Sequence, residues 1–187
     1  MHTLVILLTV LESLFTALTE KTFTTDFSVT IGAEASQPMT YNGSLAMHGE
    51  KFSVSILDTE SAYDGKTLYT YQEDMNEITL SYPDPVELQQ ANPFLFASAM
   101  RDACNIVEHD SKDGKTCLIT MTPKVKDAKA NISKINIRVN KSTLLPESIE
   151  IKEGVKTTTL RAKNPQWSKT PASWTITKEN AYINDLR

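Results

Sequence analysis

Cysteine, histidine and glycine are scarce in this chain, no apolar run is long enough to span a membrane, and neither sign of charge dominates. The two cysteines (Cys104, Cys117) and three histidines (His2, His48, His109) are scattered. No spacing among them suits zinc, haem or an iron–sulfur cluster, so neither a metal nor a cofactor is expected. Lys+Arg 19 against Asp+Glu 23 leaves a net charge of -4. That balance gives no basic field for collecting phosphates, and nucleic acid is not an expected partner. With 6 Gly, 8 Pro, 40% hydrophobic and 22% charged residues, the chain falls outside the collagen-like and disordered classes. Its 187 residues suffice for one domain, 1–187, with a substantial core.

Catalytic motifs are missing too. There is no G-x-S-x-G elbow, no H-E-x-x-H pair and no glycine-rich phosphate loop. His109-Asp110-Ser111 reads as a solvated turn, because three consecutive residues cannot place a base between a nucleophile and an orienting acid. No catalytic residue is expected, and the chain is not read as an enzyme.

What is present begins with MHTLVILLTVLESLFTALTEK, which can be read two ways. The run 4–11, broken only by Thr9, has the length of a signal-peptide core, but no Lys or Arg precedes it and no A-x-A site closes it. Alternatively, Leu7, Leu8, Leu11, Leu14, Phe15 and Leu18 recur at helical spacing, with Glu12, Thr16, Thr19 and Glu20 on other faces. An amphipathic helix over about 6–21 is the better fit, and the run is too short for a membrane span, which needs about 20 apolar residues.

From Phe23 onward the period changes to two. Phe23, Phe27, Val29 and Ile31 alternate with polar residues; Tyr41, Gly43, Leu45 and Met47 follow, then Phe52, Val54 and Ile56. Later candidate strands are 105–109, 115–122, 132–139, 145–152, 155–162 and 174–177. Turn chemistry separates them at Ser36-Gln37-Pro38, Gly49-Glu50, Asp64-Gly65, Glu73 to Asn76, Asp113-Gly114, Asn140-Lys141 and Glu153-Gly154. About eleven or twelve short strands joined by hairpins specify an antiparallel sheet that curls into a barrel or sandwich. If Asp113-Gly114 is a hairpin turn, Cys104 faces about residue 123 and Cys117 about residue 110. The two thiols are then about 20 Å apart along the strands, too far for a disulfide.

Two short helices interrupt the strands at about 84–101. Asp84, Pro85 and Glu87 form a cap, a first-turn proline and a capping-box partner, and Asn92-Pro93 repeats the start. The second helix is apolar on most sides (Phe94, Leu95, Phe96, Ala97, Ala99, Met100), so it must be covered.

Taken in order, these features resemble the LolA family of periplasmic lipoprotein carriers. The first helix runs into an F-x-x-x-F strand (Phe23, Phe27), then a G-x-L strand (Gly43-Ser44-Leu45) leading to Phe52. YDGKTLYTYQEDMNEIT at 63–79 is similar to the family's D-G-K-x-L-W/Y-x-Y segment and its following turn. Asn92-Pro93-Phe94-Leu95 resembles the family's T/N-P-F/x-L helix, 134–162 its late strands, and 174–187 its last strand. Two departures stand out. Where the family carries R-P-x-x-F-x-W with a latch arginine, this chain reads His48-Gly49-Glu50-Lys51-Phe52-Ser53, and neither His48 nor Lys51 offers the planar fork of arginine. No cysteine precedes Cys104, unlike the lipidated receptors of the family, so a soluble carrier fits better.

The resemblance implies an incomplete antiparallel β-barrel of about eleven strands, with an N-terminal helix and short central helices as a lid over an apolar cavity. It implies a monomeric periplasmic chaperone that carries the acyl chains of lipoproteins from an inner-membrane lipoprotein-releasing transporter to an outer-membrane acceptor. The alternative is a lipid- or lipoprotein-sensing module of the same fold without a transport role. Candidate cavity-lining residues are Phe27, Leu45, Met47, Phe52, Val54, Leu68, Tyr69, Tyr71, Phe94, Phe96, Met100, Ile135, Ile137, Ile149 and Leu160. A filled core gives the same periodicity. Ile137 is expected to point into the cup, so Ile137→Glu should abolish acyl-chain binding and leave the fold largely intact; in a filled core the acid would instead unfold the chain.

Overall fold

Asp113-Gly114 makes the turn that its chemistry calls for, and the register follows from it. The strands on either side, β7 (Cys104–Asp110) and β8 (Thr116–Pro123), pair with Cys104 opposite Pro123 and Cys117 opposite Asp110. Gly114 takes φ +68°, a conformation that suits a residue without Cβ. A computed structural model describes residues 9–33, 36–125, 131–169 and 172–187. In chain order the other elements are α1 (Val10–Glu20), β1 (Thr22–Ala33), β2 (Met39–His48), β3 (Lys51–Ile56), β4 (Thr59–Tyr63), β5 (Leu68–Gln72) and β6 (Glu77–Ser81). Then come α2 (Pro85–Ala91), α3 (Pro93–Met100), β9 (Ile132–Asn140), β10 (Pro146–Glu153), β11 (Lys156–Ser168) and β12 (Tyr182–Asp185).

The twelve strands form one sheet in the order β12-β6-β5-β4-β3-β2-β1-β11-β10-β9-β8-β7. Hairpins link most neighbours, so the sheet is antiparallel apart from β12, which pairs parallel to β6. Its inner face carries two apolar rows. Ile119, Ile137, Ile149, Leu160 and Val29 lie directly opposite one another from β8 to β1. Phe23, Met47, Phe52, Tyr63 and Leu68 do the same from β1 to β5. A Cβ at Gly43 would run into the Phe27 ring and the Ser55 carbonyl, so this glycine lets the ring lie across β2.

Helix α1 shows that the sheet is rolled. At one end the Glu108 carboxylate on β7 accepts hydrogen bonds from the Val10 and Leu11 N–H groups, at 3.1 and 2.8 Å. At the other, Gly49 N–H in the β2–β3 turn donates to the Leu18 carbonyl at 2.7 Å. Strands β2 and β7 are six places apart in the sheet. Flat, they would stand about 29 Å apart at ~4.8 Å per strand. Residues 10 to 18 of a helix rise only about 12 Å. The sheet therefore curls into an incomplete barrel around the helix, and Leu11, Leu14, Phe15 and Leu18 fill much of its interior.

Three expectations need correction. Residues 174–177 form no strand: half-buried Ala172, Trp174, Ile176 and Lys178 alternate with exposed Ser173, Thr175 and Thr177, but the segment has no ladder partner. An extended chain lying on a sheet shows the same period as a strand within it, and the last strand is the parallel β12. The strand expected at 105–109 runs on through Asp110, so of the His109-Asp110-Ser111 turn only Ser111 lies outside β7. The first helix begins at Val10, where Thr9 and Glu12 make a capping box; the expected first turn at 6–8 lies outside the described residues.

Candidate functional site

The inner face is not sealed everywhere. Between the C-terminal half of α1, the β2–β3 turn and the α2–α3 pair lies a cavity of about 520 Å³. Its walls are Phe15 and Leu18 of α1, Met47 of β2, Pro85 and Leu88 of α2, and Phe94, Leu95 and Ala99 of α3. Thr19, Gly49, Glu50, Gln89 and Ser98 complete it, so eight of the thirteen lining residues are apolar. A wider cleft of about 750 Å³ lies by the N-terminus of α1. It is lined mainly by charged and polar groups, among them Glu12, Arg101, Asp102, Glu108 and Lys124. An apolar hollow with a few polar groups is the usual form of a small-ligand site. The 520 Å³ cavity is accordingly the candidate site.

Local chemistry holds its walls in place. Asp84 caps α2 by accepting from the N–H groups of Val86 and Glu87, and Glu87 returns a bond to the Asp84 N–H. Asn92, fully buried, ends α2 and caps α3: its side-chain oxygen accepts from Phe94 N–H at 2.9 Å and its amide nitrogen lies 3.8 Å from the Met47 sulfur. That buried amide fastens the α2–α3 corner to the floor of the cavity. Phe94 also meets Phe23 edge-on at 5.8 Å, and Phe23 meets Trp167 in the same way. Helix α2 itself buries no residue fully.

The candidate lining residues divide into three groups. Met47 and Phe94 line the cavity. Phe27, Leu45, Phe52, Ile135, Ile137, Ile149 and Leu160 belong to the buried core, and Val54, Leu68, Phe96 and Met100 pack against it half-buried. Tyr69 and Tyr71 lie on the opposite face of the sheet, because Leu68 faces inward and strand side chains alternate. The Tyr69 hydroxyl donates to Asp64 at 3.3 Å and that of Tyr71 to Asn76 at 3.1 Å. Lys178 stands 4.8 Å over the Tyr71 ring and pairs with Glu60 at 2.6 Å, drawing the C-terminal segment onto this outer face. Phe15, Leu18, Leu88 and Leu95 are wall residues outside the candidate set. The helical spacing of Phe15 and Leu18 is visible in the sequence, but not what they face.

Titratable groups around the site do structural work. Burial, and then the charges of Glu50 and Asp64, push the Tyr63 phenol up. Burial raises the Asp64 carboxyl, but the N–H groups of Thr67 and Lys66 and the Tyr69 hydroxyl outweigh it and hold it below the usual carboxylate range. Among the described residues, no three His, Cys, Asp or Glu side chains converge to hold a metal ion. No helix among them is long and apolar enough to cross a membrane.

No protein-family model and no curated protein matches the sequence. Solved structures do match the fold. An uncharacterized conserved protein from Thermus thermophilus superposes with a TM-score of 0.62 at 8% identity, over 94% of this chain and 96% of its own. MucB superposes with a TM-score of 0.52 at 12% identity, over 93% of this chain and 64% of its own. A LolA superfamily protein from Nitrosomonas europaea matches more loosely, with a TM-score of 0.42 at 11% identity over 87% and 93% of the two chains. The open sheet rolled around helices is the architecture that the LolA resemblance implies, and the likeness is one of fold.

Proposed function

We propose that this protein is a periplasmic carrier that shelters the acyl part of lipoproteins in the cavity between α1, α2 and α3. Cargo is taken from an inner-membrane releasing transporter and given up to an outer-membrane acceptor, with no catalytic step. The observation that carries this reading is the cavity itself: an apolar slot of about 520 Å³ with one wall, α2, that buries no residue fully. A wall of this kind opens at little cost, since segments with little buried apolar surface have the lowest local stability. Covering a 16-carbon chain at ~0.8 kcal/mol per methylene is worth on the order of 12 kcal/mol gross, enough for capture. Release to an acceptor then requires only a better-fitting receptor.

Native mass spectrometry of the protein purified from its host tests the reading. Co-purifying lipoprotein or acyl lipid is the expected result. A ligand-free protein that also fails to take up any acylated peptide in vitro contradicts it.

A further inference from the structure

Resting on the carrier reading, we infer that the site holds one acyl chain at a time, because α1 occupies the space that further chains would need. A methylene takes up about the volume of a water molecule, ~30 Å³, so a 16-carbon chain needs roughly 500 Å³. The cavity measures about 520 Å³. Three such chains need roughly three times as much space on the same basis.

The other hollow beside α1, the cleft of about 750 Å³ at its N-terminus, is lined mainly by charged and polar groups and does not suit an acyl chain, and the rest of the inner face is filled. Leu11, Leu14 and Leu18 of α1 are exposed by 1%, 0% and 3%, and Ile119, Ile135 and Ile137 of the sheet by 0% each. Helix and strands are in close-packed contact, as protein interiors are. Nor is α1 loosely placed. Its first N–H groups are held by Thr9 and by both oxygens of Glu108, and its last turn by Gly49. Admitting a second chain means withdrawing the apolar side chains of Leu11, Leu14, Phe15 and Leu18 and breaking those bonds. The slot itself runs past Phe15, Leu18, Met47, Leu88, Phe94 and Leu95. It meets polar groups at Thr19, Gln89 and Glu50, where a head group would emerge.

The test is a titration of the full chain with two synthetic lipopeptides of the same sequence, one carrying a single palmitoyl chain and one carrying three, each kept below self-association. Native mass spectrometry reads the stoichiometry, and hydrogen exchange reads the amides of α1. One singly acylated peptide per protein at saturation is the expected result. The triply acylated peptide should bind within about threefold of the same affinity, with α1 as protected as in the free protein. Two or more singly acylated peptides per protein would overturn the one-chain limit. So would triacyl binding more than tenfold tighter with loss of α1 protection, and in either case the carrier reading would survive. If neither peptide binds, the carrier reading falls and the inference falls with it.

Discussion

Two parts of the inner face are built from the same kind of residue in the same alternation, yet they end differently. The row through Ile119, Ile137 and Ile149 is closed, with the first turns of α1 anchored beside it on β7. The row through Met47 opens in part into the 520 Å³ slot, which lies between the end of α1 and the α2–α3 pair. The difference comes from the cover, not from the strands. A curved apolar sheet accepts either a helix of its own chain or a ligand, and here it has the first over the Ile137 row and, beside Met47, room for the second.

The largest effect that probes this contrast is a buried charge on each side. Ile137→Glu places a carboxylate in a fully buried position and should destabilise the fold by several kcal/mol, leaving little folded protein by circular dichroism. Leu95→Glu, on a half-buried wall of the slot, should cost under about 1 kcal/mol because the acid can reach water, while removing acyl-chain binding. Comparable loss of fold in both variants would erase the distinction between the two halves.

Next in size is the anchor of α1. Glu108→Ala removes both acceptors for Val10 and Leu11 N–H. A helix cap by a carboxylate is worth about 1–2 kcal/mol, so the urea midpoint should fall and exchange should rise across α1 while the β9–β10 amides stay protected. Uniform loosening of the whole molecule would show that α1 and the sheet are not separable in this way.

The thiols test the closed half by reactivity. Cys104 and Cys117 are free and buried. Burial pushes both up, with Lys124 opposing it at Cys104 and Glu108 and Asp110 adding to it at Cys117. Alkylation at neutral pH should be on the order of a hundredfold slower than in urea. Rapid labelling of either would mean that the β7–β8 edge opens readily.

The smallest effect concerns Asp64, in the β4–β5 turn. Its carboxyl lies below the usual range in the folded chain, so folding favours the ionised form. That contribution is complete above about pH 4 and is lost as the pH falls through the lowered folded value. Asp64→Asn should flatten the loss of stability between about pH 4 and pH 2 compared with the unaltered protein, as read from urea midpoints.

Local chemistry was the legible part of this molecule. Asp113-Gly114 located a register to the residue, Asp84-Pro85 and Asn92-Pro93 located two helix starts, and the turns at Asp64-Gly65 and Glu73 to Asn76 fall between β4, β5 and β6. Long-range placement was not. Parallel pairing of β12 with β6 has no turn to announce it, and 174–177 has the period of a strand without a neighbour. Tyr69 and Tyr71 stand beside Leu68 in the candidate lining as apolar strand positions, although alternation from Leu68 turns them outward. The slot brings together residues from three helices, a strand and a turn, and an amphipathic pattern marks a buried face without naming what buries it. The bond from Glu108 to α1, 97 residues away in the chain, is of the same kind.

The central claim is that an acyl chain lies between the helices and not deep in the barrel. A palmitoylated peptide with a photoreactive group near the end of its chain, crosslinked to the unaltered protein and mapped by mass spectrometry, tests it most directly. Adducts on Leu18, Leu88, Phe94 or Leu95 are the predicted result; adducts concentrated on Ile135, Ile137 or Ile149 would contradict the account.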